Sequence, residues 1–158
     1  MFFVATADSD GRINLSPKGM DTFRILDETR IVWLNLTGSG NETAAHLIAS
    51  NRITMMFCAF EGKPLILRLY GSGKIIHPAD EGWHDLIQLF PKIEGARQIF
   101  DITVDSVQTS CGFAVPYFEY KGQRDLLTKW TEKKGEEGIR SYWKEKNKLS
   151  IDGKPTDL

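Results

Sequence analysis

The sequence predicts a mainly β protein, an antiparallel Greek-key β-barrel with flanking helices and a helical C-terminal segment. Three observations carry this reading. Six apolar or alternating runs read as strands, and most are joined by turns. Residues 98–107 alternate cleanly, with Phe100, Ile102 and Val104 on one side and Asp101, Thr103 and Asp105 on the other. The one early helix is not followed by regular βα repetition, which argues against a parallel layered sheet. At 158 residues the chain is expected to form one domain. Such a length buries about 70% of the unfolded surface. Residues 1–120 form the barrel, and residues 121–158 form a helical extension and tail of the same domain.

Residues 2–7 are apolar and begin a strand at once; a partner subunit or residues upstream would cover its neighbours. Asp8-Ser9-Asp10-Gly11 is an Asp-Gly turn of the hairpin kind. In the next strand Ile13 and Leu15 face one side and Asn14 and Ser16 the other, until Pro17 ends or edges it. Residues 30–36 form a third strand, with Trp33 and Asn35 opposite Val32, Leu34 and Leu36. Gly38-Ser39-Gly40 then opens a helix over residues 42–50. Ser39 reads as its N-cap, and Glu42 closes a capping box.

Residues 53–60 are nearly continuous in apolar residues, as in a strand buried on both faces. Leu65 to Ile76 is a long strand interrupted by Gly71-Ser72-Gly73, which predicts a bulge or sharp bend. Trp83, Leu86, Ile87 and Phe90 share one face of a helix over about 79–90, stopped by Pro91. Residues 124–147 are helical, in two pieces meeting near Gly135 or Gly138. Residues 150–155 read as a turn-rich tail.

Lys and Arg total 20 and Asp and Glu 21, so no global field recruits nucleic acid or an anionic membrane. Residues 121–148 carry a local excess of basic side chains, which reads as a solvated helical face. No apolar stretch is long enough to span a bilayer or serve as a secretory signal, so a cytoplasmic location is expected. Cys58 and Cys111 fit reduced packing thiols. His46 is expected at the surface or near a cap, and no His or Cys spacing marks a metal site.

Three polar sets are candidates to converge on one ligand. Asn14, Ser16 and Lys18 come from the second strand, and Asn35, Thr37, Gly38 and Ser39 from the third strand and its loop. Asn41 follows the loop, and Arg68 stands on the long strand. Hydroxyls, a cation and free backbone N–H groups at a helix start are what a phosphate requires. The loop lacks a full Gly-x-Gly-x-x-Gly and any Gly-Lys-Ser/Thr, so dinucleotide and P-loop readings fit poorly.

Residues 11–19, 33–47 and 67–73 together resemble the pyridoxamine 5′-phosphate oxidase-related FMN-binding proteins. Residues 109–116 and 150–155 resemble one branch of that family. The resemblance implies a split β-barrel that dimerises, with two FMN sites at the subunit interface. It places Ser16, Lys18, Thr37, Ser39 and Asn41 at the FMN phosphate and ribityl chain, and Asn35 near the ring. Arg68 falls on a flavin-side strand, where a cation would stabilise reduced flavin.

Two departures stand out. The Arg-Lys pair that follows the loop serine in pyridoxamine phosphate oxidases is replaced by Gly40 and Asn41. The basic, His-containing motif near the C-terminus is also missing. The resemblance therefore implies FMN binding and a flavin-dependent oxidoreductase of unknown substrate, without vitamin B6 oxidation. No catalytic residue is identified. The competing readings are a non-catalytic flavin-binding or sensing protein, or a split barrel using haem or a deazaflavin. A basic-helix nucleic-acid module ranks last.

Overall fold

The computed structural model describes residues 1–158. Seven strands form one antiparallel sheet: β1 (Phe2–Thr6), β2 (Asn14–Lys18), β3 (Phe23–Ile25), β4 (Arg30–Leu36), β5 (Arg52–Cys58), β6 (Ile66–Ile76) and β7 (Ala96–Ser110). Three helices accompany them: α1 (Glu42–Ser50), α2 (Trp83–Ile87) and α3 (Leu126–Lys146). The strand order is β2-β1-β5-β6-β7-β4-β3. The sheet curls until its two ends approach. Phe2 on β1 packs against Phe23 on β3 with ring centres 5.4 Å apart, and the Lys18 ammonium lies 5.1 Å from the Trp33 ring centre. No ladder joins β2 to β3, so the half-barrel stays open along that seam.

The curl gives the sheet two faces and the protein two cores. Inside, Phe2, Val4, Trp33, Met55, Phe100 and Ile102 pack against Ala44 and Leu47 of α1. Outside, Val32, Leu34, Ile76 and Ile99 are covered by Phe90 and the partly buried Trp83, Leu86 and Ile87 around α2. The alternation of β4 feeds both cores, one residue in and the next out.

The bend expected at Gly71 is present as a register shift between Tyr70 and Gly71, where β6 pairs with β7. Gly135 breaks α3 with φ 65° and ψ 172°, at one of the two expected glycines.

Several expectations are corrected. β3 was not anticipated: its three residues are too few to show a period. α2 spans only five residues, not twelve. β5 is fully buried only at Ile53 and Met55, because Thr54 and Met56 lie on the outer, partly open face. Asn41, not Ser39, stands at the N-cap of α1, and no side chain caps it. Glu42 turns away and accepts the Ile151 N–H at 3.0 Å through Oε2.

His46 is buried, with Nδ1 3.1 Å from Thr6 Oγ1. Cys111 is exposed and Cys58 half-buried. The 150–155 turn is docked, not trailing: Asp152 pairs with Arg12, and Lys154 with Asp8 and Asp10. A Leu149–Pro155 bridge closes it. No helix is long and apolar enough to cross a membrane.

Candidate functional site

The first strand pair sets up the site by turning its polar side chains inward. Ile13 and Leu15 are 76% and 65% exposed, while Asn14, Ser16 and Lys18 turn into the curl. Register explains the direction. Ser16 pairs with Val4, Val4 with Met55 and Met55 with Leu69, and this row lies on the inner core. A strand that aims its polar side chains inward, beside a packed core, needs something polar to receive them.

The receiver is a cleft of about 300 Å3 with no apolar lining residue. Asn14, Ser16 and Lys18 form one wall, and Asn35 with the Gly38–Thr43 loop and helix start forms the other. Arg97 closes the floor. The structure therefore brings together Asn14, Ser16, Lys18, Asn35, Gly38, Ser39 and Asn41 from the sequence-derived set. The Asn41 amide pairs with Gln98, Nε2 of Gln98 donating to Asn41 Oδ1 at 2.9 Å. Ser16 Oγ donates to Asn14 Oδ1 at 2.9 Å, and Asn14 Nδ2 donates to Thr43 Oγ1 at 3.2 Å.

Thr37 and Arg68 are not brought to this cleft. Thr37 Oγ1 donates to the Gly95 carbonyl and accepts from Trp143 Nε1, both at 2.8 Å. Arg68 shares its row with Met56, Phe3 and Pro17, on the outer face of the sheet. Its Nη1 donates to Ser110 Oγ at 3.1 Å.

Arg97 is the residue that sequence reasoning missed. It is 2% exposed and lies where the β4–β7 register shifts, Asn35 opposite Gln98 but Leu36 opposite Ala96. The bulge leaves Arg97 unpaired across the ladder and turns it to the same side as Gln98. The strand reading began at residue 98, two positions after β7 starts at Ala96 and one after Arg97. An Arg-Gln pair opening a strand that otherwise reads Ile-Phe-Asp-Ile was the available signal.

Electrostatically the cleft is unbalanced. Nη1 of Arg97 donates to the Gly40 carbonyl at 3.2 Å and to Asn147 Oδ1 at 2.7 Å, while its buried Nε has no partner. Burial pushes the guanidinium down to about 10, still charged at neutral pH. Burial, with the Arg97 charge second, pushes the Lys18 ammonium from 10.5 down to about 8. Neither cation forms an ion pair. Glu42, the acidic residue lining the cleft, gives both carboxylate oxygens to the Ile151 N–H. A buried guanidinium beside a half-buried ammonium, with no ion pair to either, is costly unless an anion joins them.

This makes a pH prediction. Because the folded pKa of Lys18 lies below the unfolded one, the unfolded chain binds more protons between pH 8 and 10.5. Stability of the ligand-free protein therefore gains from Lys18 as pH rises through that window. Affinity for an anion falls over the same range, as the ammonium loses its charge. Phosphate titrations and thermal melts from pH 7 to 10 would show the opposed trends. Lys18→Met would abolish both, and trends that persisted in that variant would remove Lys18 as their source.

A curled antiparallel half-barrel with a polar, cation-bearing cleft where β2 meets the β4–α1 loop defines a split-barrel class of fold. Residues 1–111 match the family model for pyridoxamine 5'-phosphate oxidase. The chain is 32% identical over 175 residues to the pyridoxamine 5'-phosphate oxidase family protein ustO of Aspergillus flavus, covering 98% of this chain and 70% of that protein. It belongs to the pyridoxamine 5'-phosphate oxidase family. Among solved structures, HupZ of Group A Streptococcus shares the fold at 20% identity and a TM-score of 0.55, covering 70% of this chain and 84% of that one. An FMN-binding protein of Syntrophomonas wolfei does so at 12% identity and a TM-score of 0.51, covering 75% and 78%.

Proposed function

We propose that the chain binds FMN with its phosphate in the Lys18–Arg97 cleft and acts as a flavin-dependent oxidoreductase on a small organic substrate. The observation that carries this is the half-buried Lys18 and the buried Arg97 in one cleft, neither in an ion pair and the Arg97 Nε without any partner. A phosphate dianion supplies the missing charge, and the Ser16 and Ser39 hydroxyls and the loop amides supply donors. The family and the FMN-binding relative support the same ligand.

Space for the rest of the cofactor adjoins the cleft. Lys18, Asn35 and Gly38 are shared with a passage of about 220 Å3 that runs past Trp33 and Leu34. Pro17, Lys18 and Gly19 are shared in turn with a chamber of about 790 Å3 walled by Met20, Phe60, Phe118 and Tyr120. A planar ring system suits such apolar walls, and a chamber of that size also leaves room for a substrate.

When bound, FMN would supply hydride or electron transfer at its ring. The chain's own residues do the holding. Lys18 and Arg97 neutralise the phosphate, the loop orients it, and the aromatic side chains of the chamber flank the ring. The absorption spectrum of protein purified from cells tests the reading: the visible bands of a flavin are expected. A Soret band instead would point to haem, and a colourless protein that takes up no added FMN would overturn the reading. Substrate-linked reduction and reoxidation rates separate an enzyme from a flavin-binding sensor.

The protein works as a homodimer with the cofactor sites at the interface. Leu15 on the edge strand β2, and Ile13 just before it, stand exposed beside the residues that line the cleft. A hydrophobic row on an open edge invites a second copy. Leu15→Glu is expected to shift the protein to monomer in light scattering and to weaken FMN retention. A variant that remains dimeric would place the interface elsewhere.

A further inference from the structure

The family match ends at residue 111, yet the cleft is held together by residues beyond it. We propose that Asn147, helped by Trp143, is a positioning residue that aims Arg97 and the Gly38–Gly40 loop at the bound anion. This rests on the anion-site reading above.

Asn147 follows the last turn of α3 and is completely buried. Three of its contacts differ in purpose. Its Oδ1 accepts Nη1 of Arg97 at 2.7 Å, and its Nδ2 donates to the Gly38 carbonyl at 3.1 Å. Its main-chain carbonyl accepts the buried Thr156 hydroxyl at 2.5 Å, locking the chain end behind it. One turn earlier, Trp143 Nε1 holds Thr37 at the root of the same loop.

The consequence for an anion follows from peptide geometry. The Gly38 carbonyl and the Ser39 N–H share one planar peptide and point in opposite directions. With the carbonyl held by Asn147, the Ser39 N–H is turned to the other side of the loop. The same amide fixes the plane of the guanidinium by engaging Nη1, which leaves Nε uncommitted. A long, rotamer-rich side chain is thereby ordered before the ligand arrives, so binding does not bear that entropy. The neutral amide matters too. A carboxylate at this position would pair with Arg97 and compete with the ligand.

The test compares FMN with riboflavin, which lacks the phosphate, on the full-length chain by fluorescence titration. Asn147→Asp keeps the size and the acceptor but adds charge and loses the donor to Gly38. It is expected to weaken FMN at least tenfold while changing riboflavin affinity less than twofold. Trp143→Phe, a milder change at a half-buried position, is expected to weaken FMN about threefold with the same selectivity. A merely structural role would weaken both ligands in proportion, and that result, or FMN affinity unchanged in both variants, would overturn the assignment. If the unaltered chain binds neither FMN nor inorganic phosphate, the anion-site reading itself falls, and this inference falls with it.

Discussion

Arg97→Met is expected to lower FMN affinity at least a hundredfold while leaving the ligand-free fold close to its original stability. The loss follows from charge-assisted hydrogen bonds, each contributing about 1.5–3 kcal/mol. Two of them to a phosphate come to at least a hundredfold, at about 1.4 kcal/mol per tenfold. The small change in stability follows from opposed effects. Removing Arg97 removes a buried charge that repels Lys18 and an Nε without a partner. It also strips the Gly40 carbonyl and Asn147 Oδ1 of their donor. Replacing a poorly compensated buried ion by an apolar side chain is often neutral. Arg97→Lys keeps the charge and is expected to fall between the two. Calorimetric titration of FMN alongside a thermal melt reads both quantities. Affinity within threefold of the unaltered chain would remove Arg97 from the site.

The largest effect on folding is expected at Gly71. A Cβ there would lie 2.0 Å from the Thr103 carbonyl oxygen and 3.2 Å from the Val104 Cα. Both obstacles are main chain, so no side chain can swing aside. The β6–β7 bulge would have to open, and with it the pairing that carries Ile75 and Ile76 to the two cores. Gly71→Ala should cost about 3 kcal/mol, near the upper end for overpacking. For a domain of this size that lowers the melting temperature by roughly 6–12 °C. Gly62→Ala is the control: its φ is +67° but nothing lies within 4 Å, so only backbone strain is added. A melting temperature unchanged in Gly71→Ala would mean that the bulge accommodates a methyl group.

What could be read in advance depended on how local the signal was. The alternation of β7 and the glycine interruption in β6 are local patterns, and the structure keeps both. The polar set Asn14, Ser16, Lys18, Asn35 and Ser39 was also legible, because two short segments carry it. Arg97 was not, since its direction depends on a one-residue slip against β4 that no periodicity reports. Nor was the role of the C-terminus: Asn147 and Glu42 act across more than a hundred residues of chain, on Gly38 and Ile151. Thr37 and Arg68 have the side chains a phosphate site would use, but one is held by Trp143 and the other stands on the outer face. His46 read as a surface or capping residue, yet α1 is buried along Thr43–Leu47.

The most direct measurement is the ratio of FMN to riboflavin affinity as a function of pH on the full-length protein. The account predicts that FMN binds at least a hundredfold more tightly at pH 7, and that this advantage shrinks above pH 8 as Lys18 loses its proton. Equal affinities for the two flavins at pH 7, or a ratio flat from pH 7 to pH 10, would contradict it.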